Sequence, residues 1–484
     1  MAEGALLWSL ADFLEATGGR LMGAAPAGIS GVSLDSRTLA PGDAFFAIQG
    51  DSRDGHAFAG DALKNGAGLA VVSADKAADI AARPLVAVAD PLQALEKLGR
   101  AARARSGAKI IAVTGSVGKT GTKEMLRSAL AESGDTHASA ASYNNQWGVP
   151  VSLALMPPTA RFGIFEVGMS HPGEIAPLAK MIRPHVAIVT AIAPVHLQYF
   201  ASVDEIAAAK AEIFAGLEAG GAAIVNRDNP YFDFLAGRAR QAGAGQVIGF
   251  GEDERAQARG VQVSLHPDCS TVSADILGQR ATYKIGAPGA HLVMNSLAVL
   301  AAVRIAGGDL ARAALALGGW RAPQGRGRRL EFKTRIGPVT LIDESYNANP
   351  ASMRAAIAIL GQAEPGANGR RVAVLGDMLE LGEAAPRLHA ELAEALVDAG
   401  VDRVYTAGPM MAALRDALPD SLRAAHGERS EELGPALERD IRPGDVVMVK
   451  GSLGSRMAPL VAALERHLVV RYEAEPRPAS VTAN

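Results

Sequence analysis

Between about residues 108 and 320, short apolar runs alternate with helical patterns. This alternation constrains the fold more than any single motif. The runs "KIIAV", "FGIFEV", "HVAIVT", "AAIVN" and "QVIGF" have strand length. Strands separated by helices do not pair as tight hairpins. They pack as βαβ units in a mostly parallel sheet. The stretch "RAPQGRGRRLEF" (321–332) is basic and rich in breakers, and reads as a linker. After it the pattern restarts with "VTLIDE", a helix after Pro350, "RVAVLGD", a helix at 387–398, "DRVYTA" and "DVVMVKG". Residues 1–90 read as a small α/β unit with strands at "GVSLDS", "AFFAI" and "PLVAVAD" and a helix over "HAFAGDALKNGA". Residues 91–105 form a helix that leads into the first central strand. The expected architecture is α/β in three domains, 1–90, 91–320 and 321–484. The tail "EAEPRPASVTAN" reads as disordered.

Composition narrows the function classes. Hydrophobic residues make up 49% of the chain, charged residues 20%, and the net charge is -3. Such a chain has no electrostatic pull toward nucleic acid or an anionic membrane. No apolar run approaches the roughly 20 residues that a bilayer span needs. A lone cysteine, Cys269, makes no internal disulfide, which fits a reducing compartment. The start "MAEGALLWSLADFLEATGG" carries acids and lacks the basic region of a secretory signal. The expectation is a cytoplasmic protein with neither nucleic-acid binding nor membrane insertion.

The stretch "KIIAVTGSVGKTGTKEML" (109–126) runs from strand through a glycine turn into a helix. Gly115 and Gly118 let backbone N–H groups face a phosphate, and the helix N-terminus adds about half a positive charge. Lys119 can reach outer phosphates and the Thr120 hydroxyl can hold Mg²⁺. The full G-x-x-x-x-G-K-[ST] loop is not present, because Val113 stands where its first glycine would be. A plain strand–turn–helix junction is the alternative reading.

Other polar residues fall at strand ends. Glu166 stands near the end of "GIFEV" and His196 just past "VAIVT". In doubly wound sheets ligands bind beyond the carboxyl ends of the strands. A carboxylate and an imidazole there suit a divalent ion, although either one alone is usually just a solvated loop residue. In "SVDEIAAAKAEIFAGLEAG" read as a helix, Ile206, Ile213, Phe214 and Leu217 form an apolar stripe, and Lys210 lies on it. Two readings stay open: a rim lysine that snorkels to water, or a functional lysine with an altered charge state. In the last third Asp343, Asp377 and Lys450 each end a strand. Turn chemistry would explain them too. In "SYNANP", Asn349 and Pro350 read as N-cap and first residue of a helix.

These pieces together resemble the Mur ligase family. The shortened loop "TGSVGKT", "YNNQWGVP" (143–150), "FEVGMSHPGEI" (165–175), "VHLQYF" with "AAAKAEIF" downstream, and "GAHLVMNSLAVLAA" (289–302) carry the resemblance. "IDESYNANPASM" (342–353), "VLGDMLELGE" (374–383) and "VMVKGS" are similar to the member that adds a D-alanyl-D-alanine dipeptide. The box expected of the relative that adds the third peptide residue is absent, and a folylpolyglutamate synthase is the other related alternative. The resemblance implies a small N-terminal domain that binds UDP-N-acetylmuramoyl-tripeptide, a central P-loop-type ATP-binding domain, and a Rossmann-like C-terminal domain that binds the dipeptide and closes on ATP. It implies amide formation through an acyl phosphate, ATP and two Mg²⁺ ions as cofactors, and a monomer.

Carried over by position, the resemblance implies that Thr114, Gly115, Ser116, Val117, Gly118, Lys119 and Thr120 cradle the phosphates. Asn295 lies near the adenine, and Arg326 or Arg328 of "GRGRR", with Arg326 preferred, reaches the phosphates. Asp343 and Asn347 extend the nucleotide site from the last domain. Thr120, Glu166, His196 and Lys210 serve the metals, the lysine as a carbamate, and Lys119, Glu166, His196 and Lys210 form the catalytic set. Ser36, Asp54 and His56 match the uridine-nucleotide pocket, Asn144 and Asn145 the substrate side, and Lys450 and Ser452 the dipeptide carboxylate. A nucleotide switch is the reading from a different class. It has no need of this Glu, His and Lys set or of two further substrate domains.

Overall fold

The five central apolar runs form the middle of one nine-stranded sheet. The computed structural model describes residues 6–50, 53–140, 143–333 and 338–469. The tail read as disordered lies outside them. From one edge the strands run Thr136–Ala138, Phe162–Glu166, Lys109–Thr114, Val186–Val189, Ala222–Asn226 and Gln246–Gly251, all parallel. The chain starts at Lys109–Thr114 and builds outward on both sides, so strand order reverses there. That reversal opens a crevice beyond the carboxyl ends of the strands.

Alternation along the strands loads both faces. Ile111, Val113, Ile164, Ile188 and Ile224 pack under helices Lys119–Ala131, Ala290–Ile305 and Leu310–Gly319. Ile110, Ala112, Phe165, Ala187 and Val225 pack under Gly148–Ala154, Ile175–Ile182 and Phe232–Gln241. Burial on both faces is why these strands read as unbroken apolar runs.

The sheet also has an antiparallel extension that the sequence reading missed. Ala258–Leu265 joins Gln246–Gly251 in parallel, and Ser270–Ile276 and Gln279–Ile285 follow it antiparallel to close the far edge. The tight turn between the last two uses Leu277 and Gly278, at φ 54° and 82°. That turn normally announces itself as Asn-Gly or Asp-Gly, and a leucine in it gives no such signal.

The last domain is a six-stranded sheet in the order Arg328–Phe332, Val339–Glu344, Val446–Lys450, Arg371–Gly376, Arg403–Ala407, Arg423–Gly427. Only its first pair is antiparallel. The second half of the expected linker, Arg328–Phe332, is thus an edge strand, and only 321–327 is irregular. The helix expected at 387–398 is two short ones, Ala385–Ala390 and Leu392–Asp398.

The first domain holds a five-stranded sheet, Arg20–Met22, Leu85–Val88, Leu69–Ser73, Asp43–Phe46, Gly31–Ser33. Helix Pro91–Arg105 belongs partly to this domain, because Ala94, Leu95, Leu98 and Ala102 lie in its core. The same helix reaches the central domain through Arg103, which donates to the carbonyls of Ile182 and Arg183 at 2.8 and 2.9 Å. No described helix is long and apolar enough to cross a membrane.

Candidate functional site

The glycine turn is shaped by steric need. A Cβ on Gly115 would stand 1.9 Å from the Thr190 hydroxyl. Gly118 sits at φ 84°, and a Cβ there would meet the Asn295 amide at 2.7 Å. A side chain is excluded at both places. The next strand pins the loop: the Thr190 hydroxyl donates to the Val117 carbonyl at 2.6 Å, and Ser116 N–H to Ala191 O at 2.8 Å. Helix Lys119–Ala131 then starts directly after Gly118, with its first N–H groups toward the crevice.

Around this turn lies a cavity of ≈ 630 Å³. The central domain lines it with Ser116 to Gly121, Asn144, Asn145, Glu166, His196 and Asn295. The last domain and the linker line it with Arg326, Glu344, Tyr346, Asn347 and Lys450. Of the residues expected around the phosphates, Thr114 and Gly115 lie beneath the lining. Asn347 and Asn349 both line the cavity, and Asn349 also caps helix Pro350–Gln362 in a capping box with Ser352. The "SYNANP" segment is therefore both a helix start and part of the cavity wall.

Glu166 is 1% exposed and uses both oxygens. Oε2 accepts from the Thr120 hydroxyl at 2.7 Å and Oε1 from the Asn144 amide at 2.8 Å. Lys119 donates to the Gly115 carbonyl at 2.7 Å. Burial lowers its pKa, the Glu166 carboxylate opposes that, and Arg326 reinforces it. Asn145 accepts the N–H groups of Trp147 and Gly148 at 3.2 and 2.9 Å, fixing the turn into helix Gly148–Ala154.

Lys210 is 1% exposed, which removes the snorkelling alternative. Its helix ends at Ala211 and continues as a 3₁₀ turn to Gly216, and Ile206, Ile213 and Phe214 are buried beside it. No described residue pairs with its ammonium. Burial drives its pKa well below the ordinary lysine value, and the nearby Lys119 ammonium adds to that. The neutral amine is favoured over the ammonium as a result.

The last domain's residues divide into those that face the cavity and those that hold its walls. Lys450 donates to Glu344 Oε2 at 3.1 Å and to Asn347 O at 3.0 Å. Arg326 stacks over the Tyr346 ring at 4.1 Å. Arg328 points elsewhere, 3.9 Å from Glu465 on helix Met457–Leu468. Asp343 does not line the cavity: its carboxylate accepts Gly325 N–H at 2.8 Å and the Ser345 N–H and hydroxyl at 3.1 and 2.5 Å. It shapes the turn that presents Arg326. Asp377 accepts the N–H of Met411 at 2.9 Å, again a structural task. The Ser452 hydroxyl lies between Leu379 N–H and Ala348 O, at 2.9 and 3.3 Å, and does not reach the cavity. Glu344, Tyr346, His291 and Asn226 are lining residues that sequence reasoning missed.

A second cavity of ≈ 640 Å³ lies on the first domain, lined by Asp35, Ser36, Arg37, Arg53, Phe58, Lys64 and Trp147 among others. Asp54 and His56, expected there, do not line it. His56 Nδ1 meets Asp54 at 2.6 Å, its Nε2 accepts Ser73 N–H at 3.0 Å, and Lys76 pairs with Asp54 at 2.6 Å. The segment 144–147 separates the cavities, with Asn144 and Asn145 on one and Trp147 on the other.

The residues fit one magnesium ion. Among the described residues no group of three or more His, Cys, Asp or Glu could hold a metal by itself. The Thr120 and Glu166 oxygens, 2.7 Å apart at the phosphate turn, are instead a hard, incomplete set of the kind that suits Mg²⁺. His196 lies farther along the cavity with Nδ1 held by Glu380 at 2.5 Å, and its Nε2 has no partner among the described residues.

Comparison with known proteins agrees with this layout. "Mur ligase family, catalytic domain" matches residues 28–115, "Mur ligase middle domain" 113–303, and "Mur ligase, glutamate ligase domain" 328–453. A UDP-N-acetylmuramoyl-tripeptide–D-alanyl-D-alanine ligase of Rickettsia prowazekii is 33% identical, over 89% of this chain and 94% of the relative. The crystal structure of MurF from Acinetobacter baumannii superposes with a TM-score of 0.82 at 29% identity, covering 95% of this chain and 99% of that one. MurF from Thermotoga maritima in complex with ADP gives a TM-score of 0.75 at 25% identity, covering 91% and 98%. The chain belongs to the Mur ligase family.

Proposed function

We propose that this chain joins D-alanyl-D-alanine to UDP-N-acetylmuramoyl-tripeptide at the expense of ATP, as a cytoplasmic monomer in peptidoglycan precursor synthesis. One observation carries the reading: the phosphate turn opens into a cavity walled by two domains, and the segment 144–147 lies between it and a second cavity on the first domain. A long substrate can lie with its nucleotide in the second cavity and its peptide carboxylate at the ATP phosphates. Arg37, Arg53 and Lys64 offer cations for a diphosphate, and exposed Phe58 offers a face for a base.

The chemistry brings two anions together. The terminal carboxylate of the tripeptide attacks the γ-phosphorus, the bridging P–O bond breaks and ADP leaves. The amine of the dipeptide attacks the acyl carbon, the C–O bond to phosphate breaks, and phosphate leaves as the nitrogen loses a proton. Lys119 and the N–H groups of 116–120 lower the repulsion and stabilise charge that moves to oxygen in the transition state. Thr120 and Glu166 would hold Mg²⁺, which would supply further charge neutralisation at the phosphates. Arg326, held over Tyr346 in the cavity wall, is the candidate for the γ-phosphate. Enclosure by the last domain keeps water from the acyl phosphate. Lys450 is the candidate for the dipeptide carboxylate.

Lys210 fits a carbamate. Carbon dioxide reacts with a neutral amine, and burial favours that form. The product is an anion, and the neighbouring Lys119 charge that disfavours an ammonium favours a carbamate.

The test is phosphate release measured with each substrate omitted in turn. Release should need ATP, the UDP-tripeptide and D-alanyl-D-alanine together. Release that persists at full rate without the dipeptide would overturn the ligase reading in favour of a nucleotide switch.

A further inference from the structure

The loop that carries His196 belongs to the central domain but is packed into the last one. Leu197 contacts the apolar cores of both domains. Gln198 N–H donates to the Glu380 carbonyl at 3.2 Å. Gly382 lies against the same loop, where a Cβ would be 3.6 Å from Gln198 Cα. His196 and Glu380 are both left-handed, at φ 55° and 62°. Residues with side chains seldom adopt that backbone, and they keep it where the surroundings over-determine it, often at functional sites. The two residues thus face each other across the domain boundary, each held by its own loop.

Their contact fixes a proton. His196 Nδ1 lies 2.5 Å from Glu380 Oε2. An ionised carboxylate only accepts, so Nδ1 carries the hydrogen. In the neutral ring Nε2 is then bare, and no described residue bonds to it. Free imidazole side chains in water prefer the opposite arrangement, with the proton on Nε2, which would block that nitrogen as a ligand. The other nearby imidazole, His171, has its own carboxylate, with Nδ1 3.1 Å from Glu174. Glu380 is therefore left to His196, which lines the main cavity.

We propose that Glu380, supplied by the last domain, is a positioning residue that sets the His196 tautomer, so that Nε2 faces the cavity as a lone-pair donor while the two domains are docked. The cation that Nε2 would meet rests on the function proposed above, whereas the tautomer does not. Carboxylate–imidazole pairs of this kind orient metal-binding histidines and raise their basicity. What distinguishes this one is that acid and imidazole come from different domains, so the nitrogen is prepared only when the domains are together.

The experiment reads the tautomer directly. The full chain, labelled with ¹⁵N-histidine and free of metal and substrate, is examined by long-range ¹H–¹⁵N correlation at about pH 8, above the range in which histidine protonates. The His196 signals should show the proton on Nδ1. In Glu380→Ala the signals should move to the Nε2-protonated pattern. Leu197→Ala, which loosens the docked loop without touching the pair, should move them part of the way. Mn²⁺ affinity in the presence of a non-hydrolysable ATP analogue should fall about tenfold or more in Glu380→Ala. A wild-type ring protonated on Nε2 would overturn the proposal, as would an Nδ1 proton that persists in both variants. If Glu380→Ala fails to fold, the wild-type and Leu197→Ala spectra decide the matter alone. Because these spectra need no substrate, a wrong substrate assignment would leave their outcome unchanged, and failure of the tautomer would leave the ligase assay unaffected.

Discussion

Glu166 and Asp343 look alike in the sequence. Each is a buried carboxylate at the carboxyl end of a strand paired in parallel with a neighbour. Their partners differ. Glu166 is held by two side chains, the Thr120 hydroxyl and the Asn144 amide, both of which line the cavity with it. Asp343 is held mainly by its own and a neighbouring loop, through Gly325 N–H and Ser345. Side-chain partners can be exchanged for a ligand without disturbing the backbone. Backbone partners cannot, because a buried N–H left unpaired costs about 1–3 kcal/mol. A strand-end acid therefore marks the functional edge of a sheet, and the nature of its donors decides whether it serves the ligand or the wall.

The largest expected effect tests the cavity side of that contrast. Lys119→Ala should lower dipeptide-dependent phosphate release on the order of a thousandfold, while the thermal midpoint stays close to that of the parent, since Lys119 makes one hydrogen bond at the loop. A loss below tenfold would show that the turn is not where phosphate charge is met.

Lys210→Ala comes next and sharpens the contrast from within the central domain. Activity should be lost, and added short carboxylic acids should restore part of it by supplying the missing anion; full activity of the variant would exclude a role near the metal. A stability measurement goes with it. Burial depresses the folded pKa of the unmodified amine, while the unfolded lysine keeps a pKa of about 10.4. Between those values the unfolded state binds the extra proton, so parent stability, measured with CO₂ excluded, should rise with pH up to about 10.4. Lys210→Met should flatten that slope in urea titrations across the same range.

Two neighbouring arginines give a smaller, paired test. Arg326→Ala should reduce turnover about a hundredfold, whereas Arg328→Ala, whose guanidinium faces Glu465, should stay within a few-fold in the same assay. Equal losses would mean that the linker delivers its charge in another way than the turn at Gly325 implies.

These contrasts also show what the sequence could and could not carry. The parallel strands, the edge they share and the phosphate turn were legible because burial on both faces leaves continuous apolar runs and because the turn needs its glycines. Asp343 and Glu344 show the limit. Adjacent strand residues point to opposite sides, so a pattern that ends in "DE" does not say which acid faces the cavity; Glu344 does. Lys210 was visible only as an anomaly on an apolar stripe, since a stripe position does not separate a rim from a core. Asp54 and His56 sit in a promising string of polar residues, yet they bond to Ser73 and Lys76 and do not line the second cavity, and those partners lie in a later segment of the chain. Glu380 lies 184 residues from His196 and only the docking of two domains pairs them.

Asp343→Ala tests the wall side of the comparison, with the smallest expected effect on turnover. The substitution removes the acceptor of Gly325 N–H and of both Ser345 donors in a region where Asp343 is 1% exposed. Stability should fall by about 1–3 kcal/mol, read as a lower urea midpoint with an unchanged slope. Turnover should drop only because Arg326 is presented less well, so the loss should be smaller than that of Arg326→Ala. In the double variant Asp343→Ala with Arg326→Ala the two losses in turnover should not add, since the first acts through the second. Additive losses would mean that the Asp343 carboxylate meets the nucleotide itself once the domains close further, and the division between ligand-serving and wall-serving acids would then fail at this residue.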